Sequence, residues 1–162
     1  MSLTRRCRAG KSNESYAGVE NRFEGFQEFA EWCNSQPDYG RLDEKGNRWQ
    51  LDKDLFGGYY SPETCVFIPA ALNTLLKAAP KKQGDLPVGV TVDNSNDRKQ
   101  MYSVRYFMYK RGYVGRARFN CPVVAGKHWR RNRGESLMEA YSDQELSIRV
   151  CCALAKLAIN IE

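Results

Sequence analysis

Between Trp49 and Asn73 the chain punctuates itself in an order that few folds accept. Trp49-Gln50-Leu51-Asp52 alternates apolar and polar as a short strand does, and it closes on an acidic residue. Gly57-Gly58 and Ser61-Pro62 then mark two turns in quick succession. From Thr64 to Pro69 runs a second short strand, and Pro69 is suited to open a helix that continues from Ala70 to Ala79 and stops before Pro80. The expected order is strand, loop, strand, helix, with Asp52 and Asn73 at its two ends.

This arrangement resembles the ββα-metal unit of the HNH-type endonuclease-like proteins common in phages. The likeness is to the subgroup with a Leu51-Asp52-Lys53-Asp54 signature followed by Tyr60-Ser61-Pro62-Glu63-Thr64-Cys65. In that family two strands and a helix converge on one divalent cation beside a scissile phosphate. The resemblance implies Asp52 and Asn73 as metal ligands, with Mg²⁺ or Mn²⁺ as the cofactor. A carboxylate and a carboxamide oxygen have the hardness for such an ion. It places Thr64 near the residue that orients the base, and Lys53 where the general-base His is expected. A protonated ammonium binds phosphate but takes no proton from water. Asp54, two residues beyond Asp52 and expected on the same side of a strand, and His128, the single His of the chain, are the substitute bases the sequence offers. Asp52, Asn73 and the Tyr-Ser-Pro-Glu stretch equally suit a cap, a backbone hydrogen bond and a simple turn.

The second half carries a different signal. From Arg98 to Arg133 there are eleven Lys or Arg residues and no Asp or Glu, interleaved with Tyr102, Tyr106, Phe107, Tyr109, Tyr113, Phe119 and Trp129. A one-sign stretch set among aromatics points to a polyanion, and here to double-stranded DNA. The residues expected to meet it are Arg105, Lys110, Arg111, Arg116, Arg118, Lys127, His128, Arg130 and Arg131, with Arg105, Arg116 and Arg118 sharing one solvent face of a hairpin. Tyr106 and Tyr113 are further candidates for base or sugar contact, although aromatics in strands more often enter the core. Strands are expected over Val88–Val92, Met101–Tyr109 and Tyr113–Phe119, the last two joined at Lys110-Arg111-Gly112. A polar loop follows to about residue 141. Ser142, with Glu145 three residues on, is then expected to cap a helix whose apolar face is Leu146, Val150, Ala153, Leu154, Leu157 and Ile161. Three antiparallel strands backed by such a helix, opened by Leu86-Pro87-Val88-Gly89-Val90, resemble the ethylene-response-factor class of DNA-binding domain.

The fold class expected is therefore α+β: a ββα-metal-like unit with a preceding helix, then a three-stranded antiparallel sheet packed on a C-terminal helix. Residues 1–18 are expected to be a mobile basic arm, 19–80 the ββα unit, 81–87 a linker and 88–162 the DNA-binding domain. Within 19–80 a helix is expected over about 22–35, with Phe23, Phe26, Phe29 and Trp32 in the core. The sequence holds no apolar run long enough to span a membrane, and its basic start reads as no secretory signal. Six Cys without C-x-x-C pairs read as reduced, mostly buried thiols and not as a zinc site. The function implied is a phage DNA-binding protein working in the host cytoplasm as a metal-dependent nicking endonuclease. The alternative is a catalytically degenerate factor that holds DNA or a host protein and inhibits a host defence or replication enzyme.

Overall fold

The computed structural model describes residues 19–77, 84–93 and 101–160. The expected basic arm, residues 81–83 of the expected linker and Ile161 lie outside the described residues. Helices and strands are mixed in α+β fashion, as the sequence leads one to expect, and the chain forms two compact units, Met1–Ala70 and Ala71–Glu162. No helix among the described residues is long and apolar enough to cross a membrane.

In the first unit helix α1 spans Phe26–Ser35, and strands β1 (Gln50–Asp52) and β2 (Val66–Ile68) pair antiparallel with Leu51 opposite Phe67. Their core is aromatic. Phe23, Tyr60 and Cys65 are buried, with Val19, Phe29, Trp32 and Leu51 packed against them. Phe23 meets Phe29 edge-on at 5.2 Å between centroids, and Trp32 stacks on Phe67 at 5.8 Å. Such pairs add about 0.5–1.5 kcal/mol each beyond their buried area. Phe26 departs from the expected core set: it is the first residue of α1 and stays exposed. Burial pushes the Cys33 and Cys65 thiols up to about 11, so both remain protonated at neutral pH.

Helix α2 (Ala70–Lys77) begins right after Pro69, and all but its first residue belong to the second unit. There, strands β3 (Val90–Val92), β4 (Tyr102–Met108) and β5 (Gly112–Phe119) form an antiparallel sheet in the order β3-β4-β5. Val90 faces Val104, which faces Ala117, and this row is buried under Ala125 with Tyr102, Tyr106, Phe119 and Trp129 around it. The hairpin turns where expected, with Lys110 at φ 60° and Gly112 at φ 74°.

Residues 120–141 are not a loop. Helix α3 runs over Pro122–Tyr141, with Pro122 in its first turn, and it is the element that covers the sheet. Helix α4 (Ile148–Ile159) packs on α3. The buried face of α3 is filled largely by small or polar residues such as Ala125, Gly126, Asn132 and Ser136, while Val123, Val124 and Met138 stay exposed, so no apolar stripe marks the helix and periodicity missed it. Ser142 accordingly ends α3, its hydroxyl donating to the Met138 carbonyl at 3.0 Å. The cap of α4 is Ser147, whose Oγ accepts from the Val150 N–H at 3.4 Å.

Two glycines explain the Leu-Pro-Val-Gly-Val opening. Gly89 has φ +85° and lies so close to the Trp129 indole that a Cβ would stand 2.2 Å from its Cγ. On α3, Gly126 meets Pro87 in the same way, at 2.7 Å. Further along α3, Arg133 donates to the carbonyls of Leu75 and Leu76 in the last turn of α2. Burial lowers the Arg133 guanidinium from its ordinary value.

Candidate nucleic-acid interface

The register of β4 and β5 decides where the basic residues stand. Val104 and Ala117 point into the core under α3, so their strand neighbours point to the other face. On that open face Arg105 lies directly opposite Arg116, and Ser103 lies opposite Arg118, with Thr91 beyond it on β3. The expected sharing of one face by Arg105, Arg116 and Arg118 follows from this pairing. Arg105 and Arg116 are exposed, and neither makes an ion pair with any described residue. Like charges facing each other across a ladder are destabilising, so the fold gains nothing from this pair.

Arg118 has a different role from the one expected of it. Its Nε donates to Asp93 at 2.6 Å, and the Asp93 side chain is only 9% exposed. The row Thr91, Ser103, Arg118 is a built polar ladder, with the Thr91 and Ser103 hydroxyls 3.0 Å apart. Arg118 therefore holds the margin of the sheet together, and its charge is largely spent on Asp93.

The remaining basic candidates stand elsewhere. Lys110 and Arg111 sit at the hairpin turn, where Lys110 pairs with Asp143 at 3.3 Å. The Tyr109 hydroxyl donates to the same carboxylate at 2.8 Å. Burial alone would raise the Asp143 carboxyl. Hydrogen bonds from the Glu145 N–H, Tyr109 and Lys110 outweigh it and hold the group below the usual carboxylate range. Lys127, His128, Arg130 and Arg131 are on α3, which covers the opposite face of the sheet. Arg131 is paired with Glu135 at 2.9 Å, and the His128 ring lies 4.8 Å from that of Phe119. One ligand lying on the open face meets Arg105 and Arg116, not the α3 set. Tyr106 is partly buried against the core, whereas Tyr113 is 55% exposed.

In the first unit the residues singled out by the HNH resemblance form a tight polar turn. Asp52 is 4% exposed, and its Oδ1 accepts the Leu55 N–H at 2.9 Å, which makes it the cap of the turn after β1. Lys53 is buried and forms an ion pair with Asp54, while its carbonyl accepts from the N–H groups of Gly57 and Gly58. Asp54 lies beyond the end of β1, in the turn, so it does not share a strand face with Asp52 as expected. The Thr64 hydroxyl donates to the Tyr59 carbonyl at 2.6 Å and lies 3.1 Å from Ser61 Oγ. Asn73 is buried on α2, in the second unit.

A resident Mg²⁺ or Mn²⁺ wants several oxygen donors free to face it. The first unit offers one buried carboxylate, already engaged by a backbone N–H, and the adjacent Lys53 ammonium is paired with Asp54. Thr64 donates its proton inward. Among the described residues no three His, Cys, Asp or Glu side chains are grouped to hold a metal ion. By themselves these first-unit groups supply few free oxygen donors for a divalent ion.

In comparisons with protein-family models, curated proteins and solved structures, nothing matches the chain. Two residues that shape this sheet were missed in the sequence: Asp93, which holds Arg118, and Asn132 on α3, whose Oδ1 accepts the Phe107 N–H at 3.3 Å. Asp93 carried a signal, as an acidic residue just ahead of the basic segment. Asn132 sits within a run of arginines and had none.

Proposed function

We propose that the chain binds double-stranded DNA through the open face of the β3-β4-β5 sheet, and that it is a catalytically degenerate relative of the phage HNH-type proteins. The observation that carries this reading is the Arg105–Arg116 pair, two exposed like charges placed opposite each other with no described acidic partner. Such a pair costs stability unless an anion lies over it, and a phosphate backbone is an anion of the right extent. A two-stranded ribbon also fits the width of the major groove. An antiparallel sheet on a helix, opened by Pro87 and Gly89 locked against α3, supports the ethylene-response-factor likeness. The ion pair of the buried Lys53 with the exposed Asp54, in the position of a base, supports binding without cleavage.

Fluorescence anisotropy with a labelled duplex tests this. Wild type is expected to bind at low salt with an affinity that falls steeply as salt rises, about 0.9 in log–log slope for each phosphate neutralised. Arg105→Ala with Arg116→Ala is expected to abolish most of that binding. On supercoiled plasmid with Mg²⁺ or Mn²⁺, wild type is expected to leave the DNA intact. Nicking that disappears in Asp52→Ala would restore the endonuclease reading. Absence of any duplex binding at low salt would assign the basic face to an acidic host protein instead.

A further inference from the structure

The hairpin contains a side chain that the fold does not use. Between Tyr106 and Phe107 the register of β4 on β5 shifts: Tyr106 faces Gly115, but Phe107 faces Tyr113, so Val114 is an extra residue without a partner in the ladder. A bulge of this kind re-aims a side chain. Val114 is 48% exposed, two residues along β5 from Arg116, and Tyr113 beside it is packed edge-on against Phe107 at 5.8 Å. The irregularity is supported from behind. Asn132 on α3 accepts the Phe107 N–H at 3.3 Å through Oδ1, and its Nδ2 lies 3.3 Å from Met108 Sδ. A backbone donor at the bulge is thus satisfied by a side chain that α3 brings to it.

Resting on the DNA-binding reading above, we propose that Val114 reads a thymine 5-methyl group in the major groove beside the contacts of Arg105 and Arg116. An isopropyl group has no donor or acceptor, so it cannot read the polar edges of the bases. The one apolar group that a base pair offers in the major groove is the thymine methyl. Val is also stiff at χ1, so its methyl groups keep their direction when the strand is held rigid. The arginines on the neighbouring ladder pair set the occupant: the exposed apolar spot lies at the margin of a cationic face, where a duplex fits and an apolar peptide does not. Arginine reads guanine through its O6 and N7, so the preferred sites should contain a thymine close to guanine.

The test uses the whole protein and a randomised duplex library, from which bound sequences are recovered. Each thymine of the recovered duplex is then replaced in turn by deoxyuridine, which removes the methyl and nothing else. At one position the replacement is expected to weaken wild type about fourfold, the value of one buried methyl. Val114→Ala is expected to bind the thymine and uracil duplexes equally while keeping the wild-type dependence on salt. Asn132→Ala, which releases the bulge, is expected to lose the same discrimination. Wild type indifferent to every replacement would overturn the proposal, as would a Val114→Ala protein with unchanged sensitivity. Failure of wild type to bind any duplex would remove the DNA reading itself, a result distinct from either.

Discussion

Arg116→Gln separates what the sheet needs from what its ligand needs. Residues directly opposite in an antiparallel pair have Cβ atoms about 5 Å apart, which leaves two exposed guanidinium groups roughly 7 Å from each other. In water their repulsion is then about 0.6 kcal/mol. With a Debye length of about 8 Å at physiological salt it falls to about 0.2 kcal/mol. Removing one charge from the Arg105–Arg116 pair should therefore stabilise the protein slightly, by about 0.6 kcal/mol at low ionic strength, with the gain fading as salt is added. Affinity should move the other way, because a lost charge-assisted contact costs about 1.5–3 kcal/mol. Urea melts at low and physiological salt measure the first effect, and duplex anisotropy across a salt series measures the second. A variant destabilised by more than about 1 kcal/mol would show that the arginines hold the sheet together. An unchanged affinity would show that the open face is not the binding surface.

Three further outcomes follow from the second unit. Gly89→Ala combines a φ of +85° with a Cβ 2.2 Å from the Trp129 ring, so a loss of about 2–4 kcal/mol is expected in urea unfolding, and a loss below about 1 kcal/mol would contradict that close approach. Arg118→Ala leaves the nearly buried Asp93 without its guanidinium, and is expected to cost about 1–3 kcal/mol, more than the Ala variant at the exposed Arg105. Asp143 has a folded pKa below its ordinary value of 3.8, so its contribution is complete above that pH and is lost as pH falls through the folded value. Asp143→Asn should flatten the decline in stability below about pH 4, followed by circular dichroism.

What the sequence made legible was local. Strands β1 to β5 announce themselves by alternation and by turns at Gly57-Gly58, Ser61-Pro62 and Lys110-Arg111-Gly112, each a matter of a few adjacent residues. The shared face of Arg105, Arg116 and Arg118 also follows from counting along two strands once the hairpin is placed. Helix α3 was not legible, because its buried face carries small and polar residues such as Gly126, Asn132 and Ser136 while Val123, Val124 and Met138 are exposed, which erases the apolar stripe by which a helix is recognised. Its charged surface imitates a solvated loop. Nor was the fate of Arg118 legible, since its pairing with Asp93 spans 25 residues and depends on strand register. Around Asp52 the family resemblance implies a metal ligand and the residue alone suits a turn cap; the local hydrogen bonds show the cap, with Lys53 the partner of Asp54. Residue type constrains chemistry; direction and prior engagement decide it.

Arg133 gives the chain an order of assembly. The carbonyls at the end of α2 are answered by a guanidinium 58 residues further along. At a synthesis rate of about 5–20 residues per second, that side chain is made roughly 3–12 s after Leu75. A ribosome therefore exposes α2 well before it supplies the group that finishes it, and a helix of eight residues is marginal in isolation. During that interval the C-terminal turn of α2 should fray, and it should close only when α3 emerges. Cleavage by protease within residues 70–77 of ribosome-stalled chains, abruptly lost once α3 clears the exit tunnel, would report that closure as a late step in making the protein.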